Sequence, residues 1–297
     1  MIPGVFFIVG PTASGKSTLA LELARRWNAE LVGADAFQIY DGLPILTAQP
    51  SQADRAAVAH HLVGEIPLGE SFDAGKYLRR AQTCLADIAS RGRHAIVVGG
   101  TGLYVRALTH GLVDLPPAQP ALRAQLEASS LPSLIDQLRS LDPQGAETID
   151  LKNPRRVIRA LELCITTGQP LAALRTQWNA PLRHQGVFLT REAAELHDRI
   201  RTRTTAMLSQ GVLEEVALCS QASTTASMAI GFAQIQALLQ NRITAETAAL
   251  EIQTATRHYA KRQITWFKKA PGFSALHLQR GADIAHTADQ LAASLPN

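Results

Sequence analysis

Apolar and polar residues fall into alternating blocks over the first ~110 residues, the block lengths expected of strands and helices. Val5-Phe-Phe-Ile-Val9 is a continuous apolar run that reads as a buried strand. Apolar positions at helical spacing follow from Ser17 to about Trp27. A second strand, Ala29 to Ala34, ends at Asp35. A helix over roughly 74–90 precedes the apolar strand Ala95-Ile-Val-Val98, which runs into Gly99-Gly-Thr-Gly102 and another helix. This βαβαβα order implies a parallel sheet with helices on both faces. Ligands of such sheets bind beyond the strand C-termini. Asp35, Gly99 and Thr101 fall at such ends.

The pattern changes at Asp114-Leu-Pro-Pro-Ala-Gln-Pro120, whose prolines mark a boundary. Residues 121–180 read as short helices without a convincing strand. Gly186-Val-Phe-Leu-Thr190 reads as a strand returning to the sheet, followed by helices over about 193–219, 232–239 and 245–269. The tail, 270–297, has room for one more strand and helix. The expected fold is therefore α/β: a P-loop NTPase-like parallel sheet flanked by helices, with an all-helical insertion domain. Residues 1–115 and 183–297 would form the core and 116–182 the insertion.

Composition narrows the class. A chain of 297 residues that is 46% hydrophobic fits a globular protein with a sizeable core. No apolar run reaches the ~18 residues of a membrane span, and a signal peptide is not expected. Cys84, Cys164 and Cys219 are far apart and form no metal spacing, so buried thiols in a reducing cytoplasm are expected. A net charge of +4 alone says little. Its distribution says more: Arg257, Lys261, Arg262, Lys268 and Lys269 occur in one stretch without an acid, with Trp266 and Phe267 among them. A second cluster holds Lys152, Arg155, Arg156 and Arg159. Basic residues tracking a backbone suit a nucleic acid, whereas the aromatics also suit a core.

The sharpest motif is Gly10-Pro-Thr-Ala-Ser-Gly-Lys16-Ser17, a G-x-x-x-x-G-K-[ST] loop in strand–loop–helix context. Its glycines let backbone N–H groups surround a phosphate, and the helix start adds positive dipole. The diphosphate-binding set is Gly10, Thr12, Ala13, Ser14, Gly15, Lys16 and Ser17. Lys16 supplies charge and the Ser17 hydroxyl can reach Mg²⁺. Triphosphatases of this class carry a second acid at a strand end to hold the metal, yet Ala95–Val98 ends in glycine. Asp35 is the acid that remains, either as a metal-shell carboxylate or as a general base. Arg199 and Arg203, four apart, share a helix face and form either a solvated patch or a clamp on a leaving diphosphate.

Several motifs together resemble the bacterial tRNA dimethylallyltransferases, the IPP transferase family. They are the 10–17 loop, Asp35-Ala-Phe-Gln-Ile-Tyr40, Thr47-Ala-Gln-Pro50, His60-His-Leu62, Val98-Gly-Gly-Thr-Gly-Leu-Tyr104 and Asn153-Pro-Arg-Arg-Val-Ile-Arg-Ala-Leu-Glu162. Leu196-His-Asp-Arg-Ile-Arg-Thr-Arg203, Gly231-Phe232 and Tyr259-Ala-Lys-Arg-Gln-Ile-Thr-Trp266 complete the set. The resemblance implies that the loop holds dimethylallyl diphosphate and that N6 of the adenosine next to a tRNA anticodon attacks its C1, releasing diphosphate. Asp35 would then accept or orient the N6 proton. Lys16, Ser17 with Mg²⁺, Thr101 and Arg203 would stabilise the leaving group, each well-placed donor contributing roughly 2.7–4 kcal/mol. tRNA contacts are implied at Asp35, Ala36, Phe37 and Gln38, at Thr101 and Arg123, at Arg155, Arg156 and Arg159, and at Arg257, Lys261, Arg262 and Gln263. Gln38 could read the adenine edge. The resemblance also implies a cytoplasmic monomer that does not engage a membrane.

Four positions depart from the family pattern: Ala36 for Ser, Gln49 for Lys, Ala233 for Arg or Lys, and Met228 where Arg can occur. They bear on RNA contacts and leave the loop, Asp35, Thr101 and Arg203 intact. Two other readings stay open on the motifs alone. A small-molecule or nucleoside kinase would share the loop and use Asp35 near its acceptor. A nucleotide-dependent RNA-binding protein would need the strand-end metal acid.

Overall fold

The computed structural model describes residues 4–112, 115–175 and 184–295. It contains two compact units, one up to Thr109 and from Leu182 onward, the other His110–Pro181. The first unit opens with β1 Val5–Val9, α1 Lys16–Arg26, β2 Ala29–Ala34, α2 Gln52–Ala57, β3 His60–His61, α3 Ala74–Ser90, β4 His94–Gly99 and α4 Gly102–His110. The second unit holds α5 Pro120–Glu127, α6 Leu131–Leu141, α7 Pro143–Glu147, α8 Pro154–Thr167 and α9 Leu171–Arg175. The first unit then resumes with β5 Gln185–Thr190, α10 Ala193–Ser209, α11 Val212–Ala217, α12 Phe232–Leu239, α13 Ala245–Lys268, β6 Ser274–His277 and α14 Ile284–Ser294.

The sheet has six parallel strands in the order β3-β2-β4-β1-β5-β6. Successive side chains of a strand point to opposite faces, and β1 uses both. Val5, Phe7 and Val9 pack with Tyr77 of α3, Tyr104 of α4 and Phe267 of α13. Phe6 and Ile8 pack with Leu19 and Leu23 of α1 and Ala288 of α14. Burial on both faces is why these strands are uninterrupted apolar runs. A further cluster joins α10 to α13 through Met207, Val212, Val216, Phe232, Ile235 and Ile252. The second unit has its own core around Leu134, Leu138, Val157 and Leu161.

The parallel sheet expected from the sequence is present, and the tail adds β6 and α14. The second unit starts at His110, ahead of the expected insertion, 116–182. Asp114 and residues 176–183, which include its far boundary, lie outside the described residues. The short edge strand β3 was not anticipated: its two residues, His60 and His61, carry no apolar signal. Among the described residues, no helix is long and apolar enough to cross a membrane.

Candidate active site

The loop between β1 and α1 owes its path to residues with left-handed backbone. Gly10 has φ +149°, and a Cβ there would overlap the Leu189 carbonyl oxygen from β5. Gly15 caps α1 with φ 97°. Ala13 adopts φ 63°, a region that non-glycine residues avoid. Lys16 Nζ donates to the Pro11 carbonyl at 2.6 Å. Ser14 is fully buried, and its Oγ has no hydrogen-bond partner among the described residues.

Three arginines hold this loop from outside. Arg191 Nε donates to Ser14 O at 2.7 Å, Arg199 Nε to Ala13 O at 2.7 Å, and Arg203 Nη1 to Thr12 Oγ1 at 2.9 Å. The first two fix loop carbonyls outward. Arg191 is also paired with the buried Glu195 at 2.5 Å. Burial pushes Lys16 down to about 8; the Asp35 charge opposes this and Arg203 adds to it. Burial likewise lowers Arg203, with Asp35 opposing and Arg199 adding, and it lowers Arg199, with Arg191 adding and Glu195 opposing. The cations crowd each other, and an anion of high charge would relieve that repulsion.

Asp35 stands at the end of β2, facing this charge. Its Oδ1 accepts from the backbone N–H groups of Phe37 at 3.0 Å and Gln38 at 3.3 Å, a side-chain turn that fixes the carboxylate. Thr101, after β4, donates its backbone N–H to Ala34 O at 3.1 Å, and its Oγ1 accepts from Ala36 N at 3.0 Å. The close approach needs a glycine before it, because a Cβ on Gly99 would overlap the Ala34 backbone.

Two cavities meet at Thr12, Asp35, Thr47 and Arg203. One is polar and borders Gly15, Lys16, Ser17, Gln38 and Gln263. The other lies along α10 and α13 and is walled by apolar and polar groups in about equal measure, Phe37, Leu46, Met207, Ile230 and Ile252 facing Thr47, Thr204 and Thr256, with Tyr259 at its side. Burial first, then the Asp35 charge, raise the Tyr259 phenol above its ordinary range, so it stays protonated. Ser17 and Asp35 offer hard oxygen donors in one cavity. Among the described residues no cluster of three or more His, Cys, Asp or Glu could cage a metal. That donor set fits Mg²⁺ held largely by phosphate oxygens and water.

The structure brings Lys16, Ser17, Asp35 and Arg203 of the expected site to one cavity and Thr101 beside Ala36. Two residues expected at the RNA, Gln38 and Gln263, also make bonds within the fold. Gln38 Nε2 donates to Thr47 O at 3.1 Å and Ala48 O at 2.8 Å, so its amide N–H groups brace a loop. Gln263 is buried, its Oε1 accepting from Thr12 N at 2.8 Å and its Nε2 donating to Gly100 O at 3.0 Å. Lys261 and Arg262 are exposed on α13, Arg262 lying 5.6 Å from the Tyr259 ring centre, and Arg257 donates to Thr254 Oγ1 at 2.8 Å.

In the second unit Arg123 is likewise engaged within the fold. It binds the buried Glu162 through two bonds of 2.8 and 2.7 Å. Arg159 reaches Glu162 at 3.4 Å and Pro116 O at 2.7 Å. Arg155 and Arg156 are exposed. Gln49, which replaces a family lysine, donates to Gln38 O and Tyr40 O and accepts from Arg55 at 2.8 Å, so a cation stands next to it in another form.

The cavity along α10 and α13 and Tyr259 were missed as site features. Thr256, Tyr259 and Gln263 stand three and four apart on α13, a helical stripe that was the available signal. Nothing local revealed the Thr12–Gln263 bond.

The geometry agrees with what the chain is similar to. The sequence model of the family described as IPP transferase matches residues 38–270. A tRNA dimethylallyltransferase of Akkermansia muciniphila is 44% identical over 89% of this chain and 90% of the relative. One of Caulobacter sp. strain K31 is 41% identical over 89% of each. The crystal structure of a tRNA isopentenylpyrophosphate transferase from Bacillus halodurans, 31% identical, superposes with a TM-score of 0.71 over 98% of this chain and 94% of that one. A eukaryotic dimethylallyltransferase acting on tRNA, 27% identical, gives a TM-score of 0.82 over 97% of this chain and 77% of the other. With a phosphate loop, a strand-end aspartate and an arginine-bearing helix meeting at one cavity, and relatives matched over nearly their whole length, the chain belongs to the IPP transferase family.

Proposed function

We propose that this protein transfers the dimethylallyl group of dimethylallyl diphosphate to N6 of the adenosine next to a tRNA anticodon, releasing diphosphate. The observation that carries the reading is the junction of two cavities at Asp35. The cationic one, with Lys16, Ser17 and Arg203, suits a diphosphate, and the apolar side chains in the wall of the adjoining one, Phe37, Leu46, Met207, Ile230 and Ile252, offer contact to a short hydrocarbon. A kinase would need no hydrocarbon slot beside the phosphates.

In this reading the Asp35 carboxylate, oriented through Oδ1 by two backbone donors, takes the proton from N6 as the amine attacks the allylic carbon. The C1–O bond breaks and its electron pair leaves with the diphosphate. Lys16, Arg203 and loop N–H groups receive the charge that builds there, and because they are already in place they need no reorganisation. Thr101 is within the same turn network and offers a hydroxyl. Ser17 would hold Mg²⁺, which when bound adds positive charge against the leaving diphosphate. The apolar walls exclude water that would otherwise capture the allyl cation. Exposed Lys261 and Arg262 on α13, and Arg155 and Arg156 in the second unit, serve the tRNA backbone. The protein acts as a cytoplasmic monomer in this account.

The test is direct: the protein is incubated with unmodified tRNA and dimethylallyl diphosphate, and the digested RNA is analysed for N6-dimethylallyl adenosine. ATP-dependent phosphorylation of a small acceptor without prenylation would overturn the reading.

A further inference from the structure

We propose that Gln263 is a positioning residue that couples RNA binding on α13 to the shape of the phosphate loop. This inference rests on the functional reading above and adds to it a physical link between the two substrate sites.

The side chains around Gln263 face opposite ways. Lys261 and Arg262 are exposed, while Gln263 is 4% exposed. Its partners fix which end of the amide is which: Thr12 N–H, 2.8 Å away, needs an acceptor, and Gly100 O, 3.0 Å away, needs a donor. A Cβ on Gly100 would overlap Nε2, so the amide occupies the space that any side chain there would take. Thr12 belongs to the phosphate loop, and its hydroxyl is held from α10 by Arg203. Gly100 precedes Thr101, whose Oγ1 accepts from Ala36 next to Asp35.

One side chain of the cationic helix thus grips both the loop for the diphosphate and the turn beside the general base. The bond to Gly100 is shielded from water and that from Thr12 partly so, and breaking them leaves buried polar groups unpaired. A diphosphate that orders the loop fixes Gln263, and with it the stretch of α13 offering Lys261 and Arg262. Coupling between binding sites is reciprocal, so RNA must tighten the diphosphate by the factor with which diphosphate tightens RNA.

The experiment measures the affinity of an anticodon stem-loop RNA by fluorescence anisotropy, with and without saturating inorganic diphosphate and Mg²⁺. For the wild-type chain, diphosphate is expected to tighten RNA binding by about fivefold or more. Gln263→Met keeps the length and loses both strong bonds. It should bring that factor to about one, while affinity for RNA alone changes by less than about twofold because the residue is buried. Gln263→Asn, one methylene shorter and so unable to reach both partners, should show the same loss, and it carries the test should Gln263→Met fail to fold. An unchanged factor in the variants overturns the coupling, as does a wild-type chain that binds both ligands without any coupling. A wild-type chain that binds neither ligand overturns the functional reading as well.

Discussion

Arg203 on α10 reaches across to the phosphate loop and donates to the Thr12 hydroxyl at 2.9 Å. The bond places a half-buried guanidinium where the leaving oxygens of a diphosphate would gather. Arg203→Ala should lower kcat/KM for prenylation by about 10²–10³-fold, the range for removing one preorganised donor. Arg203→Lys should recover little of it, since an ammonium cannot hold Thr12 and a phosphate with one planar fork. Steady-state kinetics at saturating tRNA would show this, and near-wild-type activity in Arg203→Lys would remove the geometric argument.

Asp35→Asn separates the two tasks of the aspartate. The amide oxygen can still accept from Phe37 and Gln38, so the turn should survive. The base is lost, and kcat should fall by about 10²–10⁴-fold. Thermal unfolding should stay near wild type. If single-turnover prenylation proceeded at the normal rate, the base would lie elsewhere.

Lys16 predicts a dependence on pH. Its pKa is depressed from 10.5 to about 8, so its charge is present below pH 8 and lost above it. An anion would favour the charged form and raise that value. Inorganic diphosphate should therefore bind with proton uptake at pH 8.5, and its affinity should decline as pH rises through about 8. Calorimetry in two buffers of different ionisation enthalpy reads the uptake, and Lys16→Met should abolish it. The sign for folding is opposite. Between about 8 and 10.5 the unfolded chain holds a proton that the ligand-free folded chain has released, so this group's contribution to stability grows as pH rises across that window.

Arg123 should matter to folding before it matters to RNA. Its two bonds go to Glu162, whose side chain is 2% exposed. Arg123→Ala leaves that carboxylate with Arg159 at 3.4 Å, and should destabilise the 110–181 unit by about 3 kcal/mol. Urea unfolding followed by a probe in that unit measures it. Weakened RNA binding with unaltered stability would return Arg123 to the interface.

Much of the frame is legible along the chain because its signals are local. Val5–Val9 is buried on both faces and so is wholly apolar, and the loop after it is written in consecutive residues. The second unit shows as helices because its prolines cap them: Pro120, Pro132, Pro143 and Pro154 each stand in the first turn. The site is legible only in part. Its residue types are visible, but the bond from Thr12 to Gln263 spans 251 positions, and that from Arg199 to Ala13 spans 186. Charge alone makes Arg123 look like Arg156; only the fold tells that the first answers a buried acid. Gln38 and Gln263 show the same limit, since an amide that could read a base can equally brace a backbone.

The left-handed turn at Ala13 is fixed by Arg199, and the next carbonyl by Arg191. With those carbonyls held from outside, the anion has only the rest of the loop to order, and less entropy is lost when it binds. The strain of that turn is carried at all times: an L-residue in this region costs on the order of 1–2 kcal/mol. Glycine at 13 would make the protein easier to fold and its grip slacker, so rigidity and ease of folding are set against each other at a single methyl group.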